Sequence, residues 1–542
     1  MRHSLLLAVA VGLSVLSVPS TQSPAQTTGA ATTAPGLTCN GTRILDPFQG
    51  SLAGRDLPSG LLPIKDEVKS GILRSGLPCQ ENVTPNVQTP PNGKEAVGLE
   101  NLQRGFDFYS WRTFIALNSP ADGNPIEQAQ ADKPTLWEDM DSFKQLLDVM
   151  LPADLQPPKW PTDKAGMEAE RERLVPPECL AQHQVAPTKM IVKMIEESFN
   201  EPFKTGPLID QQGRYAIFDI LMNRQMFDYM MAHNLTTKAG QAANADLSID
   251  FPAGQNSDKT FGAFMLKVSW KILSPAEKQA RNFHMVEALV LTPPLADLQA
   301  KRQCLPETLG LVGFHAVHKT ASRPQWIWTS FEHVKNVPDK DEVVANKLDG
   351  PYNFYSVDCG DRCPVVNSTP PRPWDPDPTL ELKFRRDDSY KSQIVRETPL
   401  TNAAKNMNKI FQSMLQNSVW KNYMLLSTQW PSATTGPTAA GPTAAGQNAT
   451  PGCTQQRAQN PDAPAPKTDF LKQPDMTCSP APTFLANSTL ETYSQGDVPL
   501  ASSSCIACHG NAVGFQRGAS NRQLGKPNLN QSDFTFMLEK AQ

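Results

Sequence analysis

The strongest constraint on this chain is a pentapeptide near its C-terminus, Cys505-Ile506-Ala507-Cys508-His509. Two thiols three positions apart, followed at once by an imidazole, form the pattern through which a c-type haem is attached. The cysteines bond to the porphyrin through thioether links, and the adjacent histidine lies under the iron as its proximal ligand. The sequence therefore predicts one covalent haem c, held by Cys505 and Cys508, with His509 bound to the iron.

The position of this motif restricts how a haem can be enclosed. Only 33 residues follow His509, whereas a compact cytochrome domain usually carries the motif near its N-terminus and wraps the haem with the chain that follows. We therefore expect the rest of the haem pocket to come from elsewhere in the chain. A bare Cys-x-x-Cys pair also occurs in redox dithiols and in metal sites, but the adjoining histidine and the absence of a surrounding βαβ pattern favour haem.

The N-terminus has the pattern of an export signal. Arg2 and His3 precede an apolar run at 5–18, and small and polar residues follow it. That run is too short to cross a bilayer as a helix, and no other segment approaches the required length. The sequence thus predicts a signal peptide at 1–25, a periplasmic or secreted bacterial protein and no membrane span. The alternative is a buried N-terminal helix.

Composition narrows the class of fold and the class of partner. The net charge of −4 over 542 residues gives no reason to expect nucleic acid as a partner. The 49 prolines predict long irregular connections and argue against an all-helical protein.

Eight cysteines remain once the two in the motif are set aside. In an exported protein an even number predicts disulfides, here up to four, although spacing alone leaves the pairing open. Cys359 and Cys363 are close enough for a local bridge or for two separate ones, and a zinc site would need a second ligand pair nearby. The eight are Cys39, Cys79, Cys179, Cys304, Cys359, Cys363, Cys453 and Cys478.

Periodicity and low complexity divide the chain into segments. We expect an irregular stretch at 26–100, tied to the body by Cys39 and Cys79, and then an α+β body at 101–431. A Gly-Pro-Thr-Ala-Ala repeat marks a low-complexity loop at 432–480. The remainder, 481–542, is the predicted c-type haem-binding segment.

Within the body, strands interleaved with isolated helices predict antiparallel β-strands with peripheral helices rather than a doubly wound sheet. Residues 311–319 and 325–334 form a predicted hairpin. Asn223 and Ser274 are predicted helix caps. Helical periodicity predicts helices at 102–117, 142–150, 402–415 and 532–542. Alternation predicts strands at 214–222, 264–272, 283–291 and 419–430. The stretch 152–187 is predicted to be a surface excursion.

Three side chains are candidates for a sixth iron ligand. Met537 lies on the predicted C-terminal helix, where it is equally suited to core packing. His315 and His318 lie on one predicted strand, and positions three apart face opposite sides, so at most one of them addresses a given haem. Both histidines also suit a purely structural hairpin.

The strand paired with these histidines carries further polar and aromatic groups. Arg323, Trp326, Trp328 and His333 lie on it or beside it. Such a set is suited to the edge or the propionates of a haem, and equally to a hairpin held by packing and hydrogen bonds.

Distinctive stretches recur along the chain, among them Ser-Trp-Arg-Thr-Phe-Ile-Ala-Leu-Asn at 110–118 and Leu-Ala-Asn-Ser-Thr-Leu-Glu-Thr-Tyr at 485–493. Others lie at 311–320, 323–328, 331–333 and 533–536. Together with the pentapeptide they resemble exported bacterial proteins called cytochrome c family proteins. The resemblance implies a single-haem protein with a large domain of unassigned activity. Of the functional residues it carries over Cys505, Cys508 and His509, and it implies no substrate.

Three functions are compatible with these features. The first is one-electron transfer with a redox protein partner, since covalent attachment retains a haem through repeated redox cycles. The second is a haem oxidoreductase, peroxidase-like or acting on another small molecule, in which the sixth position is open and His315 or His318 acts with Arg323. The third is a haem module that senses a gas or docks to a partner.

Overall fold

An eight-stranded antiparallel sheet organises the computed structural model of this chain, as the predicted α+β class requires. Helices pack against the sheet without alternating regularly with its strands. The structure describes residues 38–42, 44, 65–83, 98–139, 141–175, 179, 205–244, 247, 249–291, 304–360, 363–371, 390–398, 400–431, 480–482, 484–495, 503–509, 512 and 532–542. The predicted signal peptide and nearly all of the low-complexity loop lie outside these residues.

The large sheet has the strand order β10-β9-β8-β7-β5-β4-β3, and β6 pairs with β7 beside this path. A separate pair, β1 and β2, is parallel. The strands are β1 (Cys39–Asn40), β2 (Leu77–Pro78), β3 (Phe143–Gln145), β4 (Ile217–Asn223), β5 (Phe264–Ile272), β6 (Met285–Leu291), β7 (Cys304–Thr320), β8 (Arg323–His333), β9 (Tyr423–Pro431) and β10 (Pro480–Ala481).

The α-helices of the described residues are mostly short. The long ones, α2 and α8, lie against each other and against β9. The helices are α1 (Asp66–Leu73), α2 (Gly98–Leu117), α3 (Lys164–Leu174), α4 (Arg224–Ala232), α5 (Lys238–Ala243), α6 (Pro275–Ala280), α7 (Lys340–Val344), α8 (Asn402–Met414) and α9 (Cys505–His509).

The back face of the sheet is defined here by Phe264, Leu266, Phe314, Ala316 and Phe331. These side chains share one hydrophobic cluster with residues of α2 and α8. Trp111 of α2 stacks on Phe411 of α8 with 4.8 Å between the ring centroids, and Phe114 stacks on Phe331 at 4.1 Å. Stacked and edge-on aromatic pairs bury large areas, so this layer is the principal apolar core.

The front face is defined by Met265, Lys267, His315, Val317 and Trp328, which alternate along the same strands with the back-face residues. Its apolar members belong to a second cluster, together with Cys505, Ile506 and Met537 from the C-terminal region. Residues 484–495 also lie on this face. Gly313 makes room for them, because a Cβ there would stand 2.3 Å from Thr489 Oγ1.

The hairpin of β7 and β8 confirms the prediction and is longer than expected. Thr320 pairs with Arg323, so the turn is two residues, Ala321 and Ser322, rather than the several predicted. The caps at Asn223 and Ser274 are confirmed as well. Asn223 accepts a hydrogen bond from the Met226 amide, and Ser274 starts a capping box with Glu277.

Three helix or strand predictions are wrong in part. Residues 142–150 form edge strand β3 and the 3₁₀ turn Leu146–Asp148, because pairing of Phe143 with Asn223 outweighs the helical spacing. The strand predicted at 419–430 begins only after the 3₁₀ turn Val419–Asn422. In the stretch 532–542, expected to be an α-helix capped by Ser532, the structure has the 3₁₀ helix Phe536–Lys540, which Thr535 caps.

Three disulfides occur among the described residues. Cys39 bonds to Cys79, so these cysteines link β1 to β2 instead of tying the N-terminal stretch separately to the body. Helix α1 lies between them, within a stretch predicted to be irregular. Cys179 bonds to Cys304, and Cys359 forms the local bridge with Cys363. Cys453 and Cys478 lie outside the described residues.

Within the part of the chain that the structure describes, none of the helices combines the length and the apolar character needed to span a bilayer.

A buried ion pair between Arg396 and Glu332 lies on the front face, and Glu332 also binds residues 484–495 through Ser488. Arg396 donates through Nε to Glu332 Oε1 at 2.9 Å, and the other Glu332 oxygen accepts from the backbone N–H and the hydroxyl of Ser488. The Glu332 side chain is fully buried and that of Arg396 nearly so. A charge in such a place needs its partner, since an isolated buried carboxylate is costly.

We expect Arg396→Met to lower the free energy of unfolding by about 3–5 kcal/mol, because Glu332 would remain buried without its cation. Urea denaturation followed by tryptophan fluorescence measures this. The matched control is Lys164→Met, which breaks an ion pair with Glu168 that is exposed on both sides and should cost less than about 1 kcal/mol. Equal losses in the two variants would contradict the expectation.

Candidate functional site

The Cys505–His509 motif forms the one-turn helix α9, and it is held at the edge of the front face by backbone and side-chain contacts. The Leu485 amide donates to the Ser503 carbonyl at 2.7 Å, next to an isolated bridge between Leu485 and Ser504. Gln429 of β9 accepts from the Ile506 amide at 2.9 Å through Oε1. The motif is therefore positioned by residues that precede it by about 20 and 80 positions in sequence.

The two thiols of the motif take no part in the three disulfides. Cys505 is buried and lies 3.7 Å from the Leu485 carbonyl, while Cys508 is partly exposed. Burial raises the pKa of the Cys505 thiol, and the nearby charge of Glu491 raises it further. Two reduced cysteines on one helical turn are the arrangement that thioether attachment requires.

The imidazole of His509 is in a defined tautomer. Its Nδ1 lies 2.9 Å from the Phe534 carbonyl oxygen. A carbonyl can only accept, so Nδ1 carries the proton and Nε2 keeps its lone pair. Burial lowers the pKa of His509 to about 4, so the ring is neutral near pH 7.

Aromatic rings enclose this imidazole on two sides. The centroid of Trp328 lies 4.3 Å from that of His509, and Phe536 meets the ring edge-on at 5.0 Å. A histidine that binds a metal through one ring nitrogen usually donates the N–H of the other nitrogen to a carbonyl or a carboxylate. This hydrogen bond fixes the ring orientation and raises the basicity of the nitrogen that binds the metal. His509 meets that condition through a residue 25 positions later in the chain.

A group of charges lies beside the motif on the front face. Glu491 accepts from His315 Nε2 at 2.8 Å and from Lys267 Nζ at 3.1 Å. Burial alone would raise the pKa of Glu491, but the positive charges of His315 and Lys267 hold it well below its usual range. The charges of all three residues act on His509. Glu491 lies in the stretch 485–493, but no local pattern in the sequence marks Glu491 or Lys267 as part of the site.

His315 faces the motif, as one of the two hairpin histidines was expected to do, but both its nitrogens are engaged. Nε2 donates to Glu491, and Nδ1 lies 3.3 Å from the Thr329 carbonyl oxygen. In this conformation neither ring nitrogen is free to bind iron.

His318 lies on the back face, which confirms that the two histidines point to opposite sides of the sheet. Its Nε2 donates to the Phe261 carbonyl at 2.6 Å, so Nδ1 accepts from the Tyr109 hydroxyl, also at 2.6 Å. Because the sheet separates His318 from the motif, this placement argues against His318 as a sixth ligand.

Met537 is buried in the same cluster as Cys505, Ile506 and Trp328. It follows closely on Phe534, whose carbonyl oxygen contacts the Nδ1 edge of His509. Its side chain contributes to the apolar core that the motif shares with the front face.

Of the other hairpin residues, Trp328 contacts the motif through His509, and Trp326 lies on the front face near the C-terminus. Arg323 lies on the back face, between Phe106 and Trp430 and 3.8 Å from Glu81. The oxidoreductase hypothesis paired it with His315 or His318, and the sheet separates it from His315 and from the motif. His333 stacks on Phe283 at 4.3 Å in the core. Alternation along β8 explains the division.

No group of three or more histidine, cysteine, aspartate or glutamate side chains is arranged to hold a metal ion among the residues that the structure describes. No protein-family model matches this chain, and no match was found among curated proteins or among solved structures.

The buried neutral state of His318 predicts a pH dependence of stability. Burial lowers the pKa of His318 to about 4. Below about pH 6.5 the unfolded chain takes up a proton at this residue and the folded protein does not. His318 therefore makes the free energy of unfolding fall as the pH is lowered from 6.5 towards 4, by about 1.4 kcal/mol per pH unit for one proton.

We expect His318→Gln to remove the contribution of His318 to the slope of the free energy of unfolding against pH, because glutamine does not titrate. Urea denaturation of both proteins at several pH values between 6.5 and 4.5 measures the difference. The test uses the slope and not the absolute stability, which the substitution also changes. Parallel slopes in the two proteins would show that His318 is not buried in the neutral form.

Proposed function

We propose that this protein is an exported c-type cytochrome that transfers single electrons, with one haem c held by Cys505, Cys508 and His509. The observation that carries the proposal is the 2.9 Å hydrogen bond from His509 Nδ1 to the Phe534 carbonyl. Because Nδ1 carries the proton, Nε2 keeps a lone pair that it can donate to iron. His509 directly follows Cys508, which like Cys505 takes no part in the disulfides. The residues present thus fit the attachment and the proximal ligation of a haem.

The surroundings of the motif support the same proposal. When bound, the haem would supply an iron that takes up and returns one electron. Trp328, Phe536 and Ile506 exclude water from one side of the motif, while Cys508 and His509 remain partly exposed. We infer that a redox protein partner would approach from this exposed side, since electron transfer between proteins needs a short distance to the redox group.

The C-terminal region acts in this proposal as a haem-binding segment, 481–542, completed by the sheet. Its described parts contact the front face through Leu485, Asn487, Glu491 and Asp533. The three disulfides support export to the periplasm or the medium, because such bonds persist in oxidising compartments.

One observation favours a second candidate, a haem oxidoreductase with an open sixth position acting on a small molecule. In this conformation both ring nitrogens of His315 are engaged and His318 lies on the other face of the sheet, so neither histidine offers a donor to an iron at the motif. The group of Lys267, Glu491 and His315 lies beside the motif instead. Such polar groups could bind a small polar substrate and hold a proton close to it.

Attachment is tested by mass. Produced with its leader in a bacterium that attaches haem c, the protein should carry the mass of one haem and retain it after denaturation. We expect Cys505→Ala/Cys508→Ala to abolish that added mass, because both thioether links are lost. Intact-protein mass spectrometry and the absorbance of the denatured protein measure this.

The matched control for attachment is Cys359→Ser/Cys363→Ser, which removes another closely spaced cysteine pair and should leave one haem bound. Wild-type protein without covalent haem under these conditions would refute the proposed function.

Spectra separate the two candidate functions. For an electron carrier we expect the reduced protein to be low-spin and to leave CO unbound, because a ligand from the chain occupies the sixth position. Met537→Leu should then convert the spectrum to high spin and allow CO to bind, whereas His318→Gln should not. CO binding by the wild-type protein would instead favour the oxidoreductase.

A further inference from the structure

The backbone next to His509 has an unusual conformation. The Thr535 amide donates to the Ser532 carbonyl at 3.1 Å, which closes a four-residue turn. Both central residues have positive φ, 48° at Asp533 and 61° at Phe534. Positive φ at both central positions defines a type I′ turn, which glycine and asparagine favour. A bulky phenylalanine in this region is an outlier that the surrounding structure must hold in place.

A buried ion pair holds the turn. The Asp533 carboxylate accepts from Lys319 Nζ, from the Phe251 amide at 2.8 Å and from Trp326 Nε1 at 3.4 Å. Both charged side chains are almost completely buried, and Lys319 also pairs with Asp250, whose side chain is half exposed to solvent. Trp326 itself has φ 68°, so both aromatic residues with positive φ among the described residues lie at this one place.

This turn determines the position of one carbonyl group. Phe534 directs its carbonyl oxygen at His509 Nδ1, and that contact determines which ring nitrogen carries the proton. Among the residues that the structure describes, Lys319 binds the carboxylates of Asp250 and Asp533 and not the motif itself. Its influence on the imidazole runs through Asp533 and the backbone of the turn.

We propose that Lys319 and Asp533 are positioning residues that hold the Phe534 carbonyl against His509 and thereby keep Nε2 unprotonated. That Nε2 binds haem iron rests on the proposed function, whereas the control of the tautomer does not. The strained turn is kept because a relaxed backbone at 533–534 would direct the carbonyl elsewhere. The Nδ1 proton would then lose its acceptor, and the two neutral tautomers would compete.

Other contacts keep the C-terminal segment docked without this ion pair. Gln241 donates to the Leu538 carbonyl at 2.9 Å, and the Lys238 amide donates to the Gln542 carbonyl at 3.2 Å. Removing both charges together avoids leaving either of them unpaired at this contact, as single substitutions would. The double variant Lys319→Met/Asp533→Asn should therefore alter the turn while the segment stays in place.

The test is the tautomer of His509 in the full chain produced without haem. Nitrogen-15 labelling of the histidine rings and NMR spectra that correlate ring nitrogens with ring protons distinguish Nδ1–H from Nε2–H. The variant His509→Gln assigns the signal. We expect wild type to show the Nδ1–H form alone and the double variant to show a mixture of the two tautomers or the Nε2–H form.

The chain offers a closely matched control. Lys271 on β5 is as deeply buried and also contacts two carboxylates, Asp210 at 3.0 Å and Glu277 at 2.8 Å, but it makes no contact with the turn or the motif. Lys271→Met/Asp210→Asn should lower the melting temperature to a similar extent and leave the His509 tautomer unchanged. An unchanged tautomer in the Lys319/Asp533 variant, or an equal change in the control, would overturn the proposal.

A third substitution, added to the double variant, relieves the strain of the turn and therefore also serves if the double variant does not fold. Phe534→Gly keeps the carbonyl and accepts positive φ without strain. Added to the Lys319/Asp533 variant it should restore the Nδ1–H form, and a lack of rescue in a folded protein would count against the proposal. Covalent haem is measured separately on each protein, so wild type without haem would refute the proposed function while the tautomer result still stands.

Discussion

Alternation of side chains along the central hairpin is the constraint on which the rest of the structure depends. Strand β7 sends Phe314, Ala316 and His318 to the back face and His315 and Val317 to the front. The back face is an aromatic core against α2 and α8. The front face carries charges and hydroxyl groups that only a second layer of chain can satisfy, and the C-terminal region supplies that layer.

The front face therefore acts as a platform for three segments with different partners. Residues 484–495 bind through Asn487, Ser488 and Glu491, the motif through Gln429, and the C-terminal turn through Lys319. The Gln429 contact brings a polar group to the motif from a strand far away in sequence, and the Lys319 contact holds the turn whose Phe534 carbonyl reaches His509. Buried polar contacts of this kind add little net stability, but they are costly to break and they specify one arrangement. The result is an imidazole in one tautomer, enclosed by rings on two sides.

The parts of the fold that were predicted correctly are those with strong local signals. Helices α2 and α8, strand β5, the hairpin and the caps at Asn223 and Ser274 all follow from periodicity or capping within a few residues. The errors fall where a distant contact decides the conformation. Pairing with β4 makes 143–145 a strand, and the ion pair of Asp533 with Lys319 holds two left-handed residues at the start of a predicted helix. Arg323 was grouped with His315 or His318 because the hairpin brings their strands together, but the alternation puts it on the back face with His318 and opposite His315.

The sequence by itself determined which chemistry is proposed for the site, since two cysteines and an adjacent histidine at this spacing are the pattern of haem attachment. It also determined the central strands β5, β7 and β8, because their alternating pattern is local. Only the tertiary structure decided which groups surround the motif: Glu491 and Lys267 beside it, Trp328 against the ring, and the Phe534 carbonyl on Nδ1. No local pattern encodes such contacts, because each joins residues that are distant in sequence and is determined by strand register and by the turn that places the C-terminus. The tautomer of His509, on which the proposed iron ligation depends, is a property of the fold and not of the motif.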